Sequence, residues 1–272
     1  MSEAVAAEAA NAAAIELRDL HKAFGETQVL RGVDLIIPEG ATTTILGGSG
    51  SGKSVILKHV IGLLKPDRGR ILVEGQDVTD FSEEAYIDVR KNVSMIFQSA
   101  ALFDSLSVRE NIAYPLREHR DWDEERILQR VAECLEAVGL VGAEKLMPSE
   151  LSGGMRKRVG VARGIALEPR LILYDEPTTG LDPANQRRVG DLIRSLRERL
   201  HVTSVVVTHE LDLCFEISDR VAFLKDGRIA EAGSVDAIRS SEHPALRNFL
   251  AGMRDEDHEA DSSSPGGQED GT

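Results

Sequence analysis

The segment "ATTTILGGSGSGKSVILKHVIGLL", residues 41–64, decides the fold. Its first six residues are β-branched and apolar and predict a strand, and its last twelve have a helical pattern that Pro66 stops. Between them, "GGSGSGKS" (residues 47–54) has the spacing of a phosphate-binding loop, in which glycines let backbone N–H groups converge on an anion. A strand that leads through such a loop into a helix predicts a nucleotide site.

We expect the whole loop to contact the nucleotide. Lys53 is placed for the β- and γ-phosphates of ATP, and the Ser54 hydroxyl is placed for Mg²⁺. The alternative, a glycine-rich turn that binds nothing, is disfavoured by the flanking strand and helix. The predicted nucleotide contacts in this segment are Gly47, Gly48, Ser49, Gly50, Ser51, Gly52, Lys53, Ser54 and Val55.

Polar residues also follow three other predicted strands. Asp175 and Glu176 end the apolar run "LILYDE", which is typical of a buried parallel strand, while Gln98 follows "VSMIF" and His209 follows "TSVVVT". Ligands of such sheets bind beyond the carboxyl ends of the strands. We therefore predict Mg²⁺ ligands in Ser54, Asp175 and Gln98, a general base in Glu176, and further catalytic residues in Gln98 and His209. The alternative for each is a capping or simply hydrogen-bonded polar residue.

A second predicted phosphate-binding helix end lies about a hundred residues after the first. In "ELSGGMRKRVGVARGIA", residues 150–166, Ser152, Gly153 and Gly154 stand before a helical pattern. A helix start offers free backbone N–H groups and the positive end of the helix dipole. A plain capped helix would explain Ser152 but not the two glycines, which lower helix propensity.

The composition excludes some functional classes. The 272-residue chain has a net charge of -14, which argues against a nucleic-acid surface, and it has no run of about 18 apolar residues that would span a membrane. Cys134 and Cys214 are expected to be reduced, buried thiols. We expect residues 1–13 to be a disordered leader rather than a signal peptide, and residues 254–272 to be an acidic disordered tail.

Strands alternate with helices along most of the chain. This alternation predicts an α/β core. Residues 99–165, approximately, have a helical pattern instead and predict an inserted helical subdomain. Near the end of the core, "RVAFLKDGRIAEAG" predicts a hairpin around Asp226 and Gly227.

Together with "FQ", "GLDP" and "VTH", these motifs resemble the ATP-binding-cassette (ABC) ATPase subunits over about residues 14–240. The resemblance implies a P-loop NTPase core with the inserted helical subdomain and an antiparallel β subdomain, and residues 241–253 would form a C-terminal helical extension. It makes Leu151–Met155 the signature motif and Asp182 part of the D-loop at the nucleotide. Phe24 stands where a ring often stacks on adenine, although an alternating strand would equally bury it.

In this family two cassettes pair head to tail. The resemblance therefore implies a homodimer in which Ser152, Gly153 and Gly154 of one chain contact the γ-phosphate of ATP bound to the partner's phosphate-binding loop. Each chain then needs two phosphate-binding helix ends, because each end serves a different ATP.

Three departures from the common pattern point to a narrower group. Gly48, Val55 and Met155, with "ALFDSLSVRENIAYPLREH", resemble the ATPases of Mla-type phospholipid transport, which pair with MCE-domain lipid-binding proteins. The resemblance implies a peripheral ATPase on the cytoplasmic face of the inner membrane. It would power a separate integral permease that moves phospholipid or a related lipid.

The permease is expected to dock near Gln98, where Leu102, Phe103 and Leu106 form either an apolar contact surface or subdomain core. Two alternatives to lipid transport remain. A small-solute importer would use the same catalytic residues. A non-transport ABC protein acting on chromosomes or ribosomes is disfavoured by the single cassette, the lack of sustained heptads and the negative charge.

Overall fold

The computed structural model describes residues 13–252, and a six-stranded sheet carries the predicted site residues. Five strands are parallel, and the sixth pairs antiparallel with its neighbour at one edge. In their order across the sheet, the strands are β10 (Arg228–Ser234), β9 (Arg220–Lys225), β3 (Thr42–Leu46), β8 (Thr203–Thr208), β7 (Leu171–Asp175) and β6 (Val93–Ile96). The carboxyl ends of the parallel strands therefore share one edge.

A second, antiparallel sheet confirms the predicted antiparallel β subdomain. Its strands lie in the order β2 (Thr27–Pro38), β1 (Ala13–Phe24), β4 (Arg68–Val73) and β5 (Gln76–Asp77). The predicted leader and acidic tail lie outside the described residues, apart from Ala13, which begins β1 and so belongs to a strand.

The parallel sheet is covered on both faces, as its apolar strands require. Alternate residues of β7 and β8 face different apolar clusters. One cluster holds Leu171 and Val205 with the antiparallel sheet, α1 (Lys53–Val60) and α2 (Glu83–Asn92). The other holds Ile172 and Val206 with the helical subdomain, which includes α5 (Gly153–Ile165), and with α6 (Pro183–Leu200).

The helical subdomain packs against one face of the parallel sheet. Besides α5 it contains α3 (Val108–His119), α4 (Glu124–Ala137) and a 3-10 turn at Pro148–Glu150. The buried Arg130 of α4 donates to the backbone carbonyl oxygens of Ile165 and Ala166 at 2.8 and 3.1 Å. These bonds attach α4 to the C-terminal end of α5 and satisfy carbonyl groups that a helix end leaves free.

Two local features differ from the sequence prediction. Helix α1 ends at Val60 rather than at residue 64, because Gly62 takes a left-handed backbone (φ +70°) and lies so close to Tyr86 that a Cβ there would be 2.5 Å from the ring. Helix α2 was not predicted from the sequence, although Ser82 caps it by accepting a hydrogen bond from the Ala85 N–H.

The last described segment is helical. Residues 244–252 form a helix whose Leu246 is fully buried, and Phe249 lies 5.2 Å from Phe223 of β9 between ring centroids. The short helices α7 (Leu211–Ile217) and α8 (Val235–Arg239) complete this third apolar cluster.

Candidate active site

The phosphate-binding loop joins β3 to α1. Lys53 is buried, and its Nζ donates to the carbonyl oxygens of Gly47 and Gly48 at 2.8 and 3.0 Å. A Cβ at position 47 would lie 2.6 Å from the carbonyl oxygen of Leu224, and Gly52 has φ +103°, so both positions require glycine. The loop thus curls around the lysine at the start of a helix, where free N–H groups favour an anion.

Ser54 and Asp175 form a pair of oxygen ligands. The Ser54 hydroxyl donates to Asp175 Oδ1 at 2.5 Å. Burial raises the pKa of Asp175 above its ordinary value, the hydrogen bond from Ser54 opposes this rise, and the negative charge of Glu176 adds to it. A hydroxyl and a carboxylate are the hard oxygen donors that suit Mg²⁺ beside a nucleotide's phosphates.

The carboxylate of Glu176 contacts three side chains at the sheet edge. Oε1 lies 3.2 Å from Lys53 Nζ, while Oε2 lies 2.9 Å from His209 Nδ1 and 3.3 Å from Thr179 Oγ1. The residue is 8% exposed, and its N–H donates to the carbonyl oxygen of Val207 at 3.0 Å. A buried carboxylate held beside a lysine and a histidine is placed to accept a proton from a water molecule.

The signature motif begins α5 at the surface. Ser152 caps the helix by accepting a hydrogen bond from the Met155 N–H at 3.2 Å, and both Ser152 and Gly153 are exposed. A Cβ on Gly154 would approach the Asn185 side chain to 3.0 Å, and Asn185 is in turn held by Asp182. Within the described residues, no hydrogen bond joins the signature motif to the phosphate-binding loop.

Three predicted site residues occupy less confined positions. Gln98 is exposed in the turn after β6, two residues beyond the strand end, and its side chain makes no hydrogen bond with the rest of the described chain. Phe24 at the end of β1 is 47% exposed, so the burial that strand alternation predicts is not found. The Val55 side chain packs against the apolar core.

The structure adds residues that sequence reasoning missed. Thr178 Oγ1 donates to Glu210 Oε2 at 2.8 Å; Glu210 follows His209 directly and Thr178 stands two residues after Glu176, which was a usable signal. Lys157 Nζ donates to the carbonyl oxygen of Glu176 at 3.3 Å. No spacing rule connects Lys157 with a residue 19 positions later, and only the packing of α5 against the sheet edge reveals the contact.

The fold and the site together place the chain among the P-loop nucleoside triphosphatases, because an anion-binding loop and a buried carboxylate meet at the edge of a parallel sheet. Residues 30–179 match the family model described as ABC transporter. The chain therefore belongs to the ABC transporter family, as an ATP-binding and ATP-hydrolysing subunit. This confirms the resemblance and the fold class that the sequence predicts.

Relatives and solved structures agree with this assignment. The chain is 42% identical to the intermembrane phospholipid transport system ATP-binding protein MlaF of Escherichia coli, over 89% of this chain and 90% of that protein. It is 41% identical to the probable ribonucleotide transport ATP-binding protein mkl of Mycobacterium leprae, over 89% of this chain and 70% of that protein.

Two solved cassettes have the same fold. A dimeric ATP-binding cassette in a post-hydrolysis state, bound to ADP and Pi, is 31% identical with a TM-score of 0.75, covering 81% of this chain and 98% of that one. The cassette cbiO1 from Clostridium perfringens, part of the ABC transporter complex cbiONQ, is 28% identical with a TM-score of 0.78, covering 92% of this chain and 100% of that one.

The raised pKa of Asp175 predicts a stabilising substitution. Asp175→Asn should raise the unfolding temperature of the nucleotide-free protein at pH 7, because the folded state no longer buries that charge. The pKa of Asp175 is higher in the folded state than in the unfolded state. The gain in unfolding temperature should therefore shrink as pH falls through the folded-state pKa and vanish below the unfolded-state pKa. Thermal unfolding across pH measures this, with the exposed Asp104→Asn as control. A lower unfolding temperature for Asp175→Asn at pH 7 would contradict the account.

Proposed function

We propose that Glu176 is the general base of ATP hydrolysis. The observation that carries the proposal is its buried carboxylate, held by Lys53 and His209 at the edge where the phosphate-binding loop lies. As a water oxygen bonds to the γ-phosphorus, the bond to the β–γ bridging oxygen breaks, ADP leaves, and the proton from water passes to Glu176. Lys53 compensates negative charge on the β- and γ-phosphates, and His209 holds the base in position.

Ser54 and Asp175 fit Mg²⁺, because they bring a hydroxyl and a carboxylate oxygen together at the start of α1. Gln98, at the end of a neighbouring strand, is the proposed third ligand. The ion, when bound, neutralises charge on the β- and γ-phosphates. Phe24 supports adenine as the base, since its ring is 47% exposed and could stack on a base, although Lys22 Nζ lies over the ring, 5.7 Å from its centroid.

The proposed working unit is a head-to-tail homodimer with ATP between the chains. The exposed helix end at Ser152 and Gly153 supports it, because this end makes no hydrogen bond to the chain's own phosphate-binding loop. A cassette similar to this chain is described as dimeric. In the dimer, Ser152, Gly153, Gly154 and the D-loop residue Asp182 would complete the partner's nucleotide site.

We propose phospholipid, or a related lipid, as the transported substrate. Support comes from the 42% identity to MlaF across nine-tenths of that protein's length. No helix among residues 13–252 is long and apolar enough to cross a membrane. The chain would act peripherally on the cytoplasmic face of the inner membrane, with an integral permease and an MCE-domain protein as partners. Transport of a small solute is the second candidate, which the name of the ribonucleotide-transport relative favours.

A groove beside the helical subdomain is the proposed permease dock. It has a volume of about 480 Å³ and is lined in part by Phe97, Phe103 and Tyr114. Phe103 and Tyr114 are 44% and 45% exposed, and their ring centroids lie 5.1 Å apart. Leu102, by contrast, packs against the core of the subdomain. An apolar partner helix would bury these two exposed rings.

The role of Glu176 is testable by an isosteric change. Glu176→Gln keeps the shape but removes the base, so ATP turnover should fall by about 10²-fold or more. ATP binding should survive, and an ATP-bound dimer should accumulate on size exclusion. Lys53→Ala is the matched comparison, because it should weaken ATP binding itself. Wild-type turnover by Glu176→Gln would exclude the proposed base.

The proposed partners can be tested by purification from mild detergent. The tagged chain should bring down a multi-span permease and an MCE-domain protein, with phospholipid detected by mass spectrometry. Phe103→Asp should lower permease recovery about tenfold, because a charge on the groove must lose its water on docking. Val141→Asp is the control, since Val141 is 75% exposed and lies outside the groove lining.

Two results would count against this part of the proposal. Recovery of a permease with a solute-binding protein, and without lipid, would favour the small-solute importer. Equal permease recovery with Phe103→Asp and Val141→Asp would place the dock elsewhere.

A further inference from the structure

Lys157 connects the signature motif to the catalytic edge of the same chain. It lies on α5, five residues after the helix cap Ser152, and its Nζ donates to the backbone carbonyl oxygen of Glu176 at 3.3 Å. At about 1.5 Å of helix rise per residue, the two α5 residues are roughly 7.5 Å apart along the axis. A short, rigid length of helix therefore joins the exposed phosphate-binding end of α5 to the proposed base.

The carbonyl that Lys157 binds belongs to a residue with an unusual backbone. Glu176 has φ +48°, in the left-handed region that residues other than glycine disfavour. It stands just beyond the end of β7, where the regular pairing of the strand stops. Besides Lys157, only the Thr179 N–H donates to this carbonyl among the described residues, at 3.4 Å. Loss of the lysine would remove one of the two hydrogen bonds to this carbonyl and weaken the support of the backbone that carries the Glu176 carboxylate.

The surroundings of the Lys157 ammonium link the two catalytic loops. Partial burial lowers the pKa of Lys157, and the carboxylates of Glu210 and Glu176 oppose this effect. Glu210 follows His209 in the chain, and its Oε2 accepts a hydrogen bond from the Thr178 hydroxyl at 2.8 Å. The ammonium thus lies near acidic groups of both the loop that carries Glu176 and the loop that carries His209.

We propose that Lys157 is a positioning residue that holds Glu176 in its catalytic orientation from the signature helix of the same chain. The inference rests on the proposed catalytic role of Glu176. In the proposed dimer, the end of α5 meets the partner's ATP, so Lys157 would connect the binding of that ATP to the geometry of this chain's own base.

Substitutions of Lys157 separate positioning from binding. Lys157→Met keeps the length of the side chain without a donor, and kcat should fall about tenfold, the factor expected for losing one hydrogen bond from a charged donor. KM for ATP should stay within about twofold, because Lys157 does not touch the phosphate-binding loop. Lys157→Arg keeps a charged donor and should restore most of kcat. The control is Arg158→Met, whose hydrogen bonds within residues 13–252 go only to the carbonyls of Val138 and Gly139.

Covalently linked dimers test whether Lys157 acts within its own chain. Each dimer carries one Lys157→Met and one Glu176→Gln, so only one base remains. With the two changes in different chains, the surviving Glu176 lacks its own Lys157, and kcat should be about tenfold below that of the dimer with both changes in one chain. Both dimers contain the same substitutions, so a general loss of stability would not separate them.

The outcomes separate the proposed role of Lys157 from the catalytic role of Glu176 on which it rests. Equal rates in the two dimers, or a slower rate when both changes share a chain, would overturn the role of Lys157, because the lysine would then act on neither base or on the partner's. Unchanged turnover in a dimer with Glu176→Gln in both chains would instead overturn the catalytic role of Glu176.

Discussion

The chemistry of this cassette depends on the register in which three buried parallel strands end together. Leu46 of β3 pairs with Thr208 of β8, and Val207 of β8 pairs with Asp175 of β7. These pairings fix where the phosphate-binding loop, the acidic pair and the histidine loop begin. Because side chains alternate between the faces of a sheet, a shift of one residue in β7 would turn Asp175 away from Ser54.

The same register also brings the buried charged side chains at this edge of the sheet next to the partners that stabilise them. Lys53, Asp175 and Glu176 are all less than 9% exposed, so each depends on partners for its stability. The lysine contacts Glu176 and two loop carbonyls, while Asp175 accepts a hydroxyl from Ser54. The partners of Asp175 do not fully offset its burial, because its pKa stays above the ordinary value. A divalent cation would relieve that imbalance directly, which connects the energetics of the site to its proposed cofactor.

Much of this arrangement could be predicted from the sequence, because it follows from strand ends. An apolar run that stops at polar residues predicts the positions of Asp175, Glu176 and His209. In the folded sheet, Glu176 Oε2 and His209 Nδ1 lie 2.9 Å apart. Contacts between distant elements could not be predicted in this way. Lys157 reaches Glu176 only because α5 packs across the sheet edge, and the exposure of Phe24 depends on where the antiparallel sheet ends.

The central claim is that the signature end of each chain serves the ATP of its partner. Ser152→Asp keeps a helix cap but adds a negative charge there, and Lys53→Ala removes the cation from the phosphate-binding loop. The decisive measurement is the ATP retained by covalently linked dimers that carry Glu176→Gln in both chains. With the two changes in different chains, one composite site stays intact, and each dimer should retain one ATP. With both changes in one chain, both composite sites are damaged, and ATP should not be retained. The reverse order would contradict the account, because it would mean that each signature end serves its own chain.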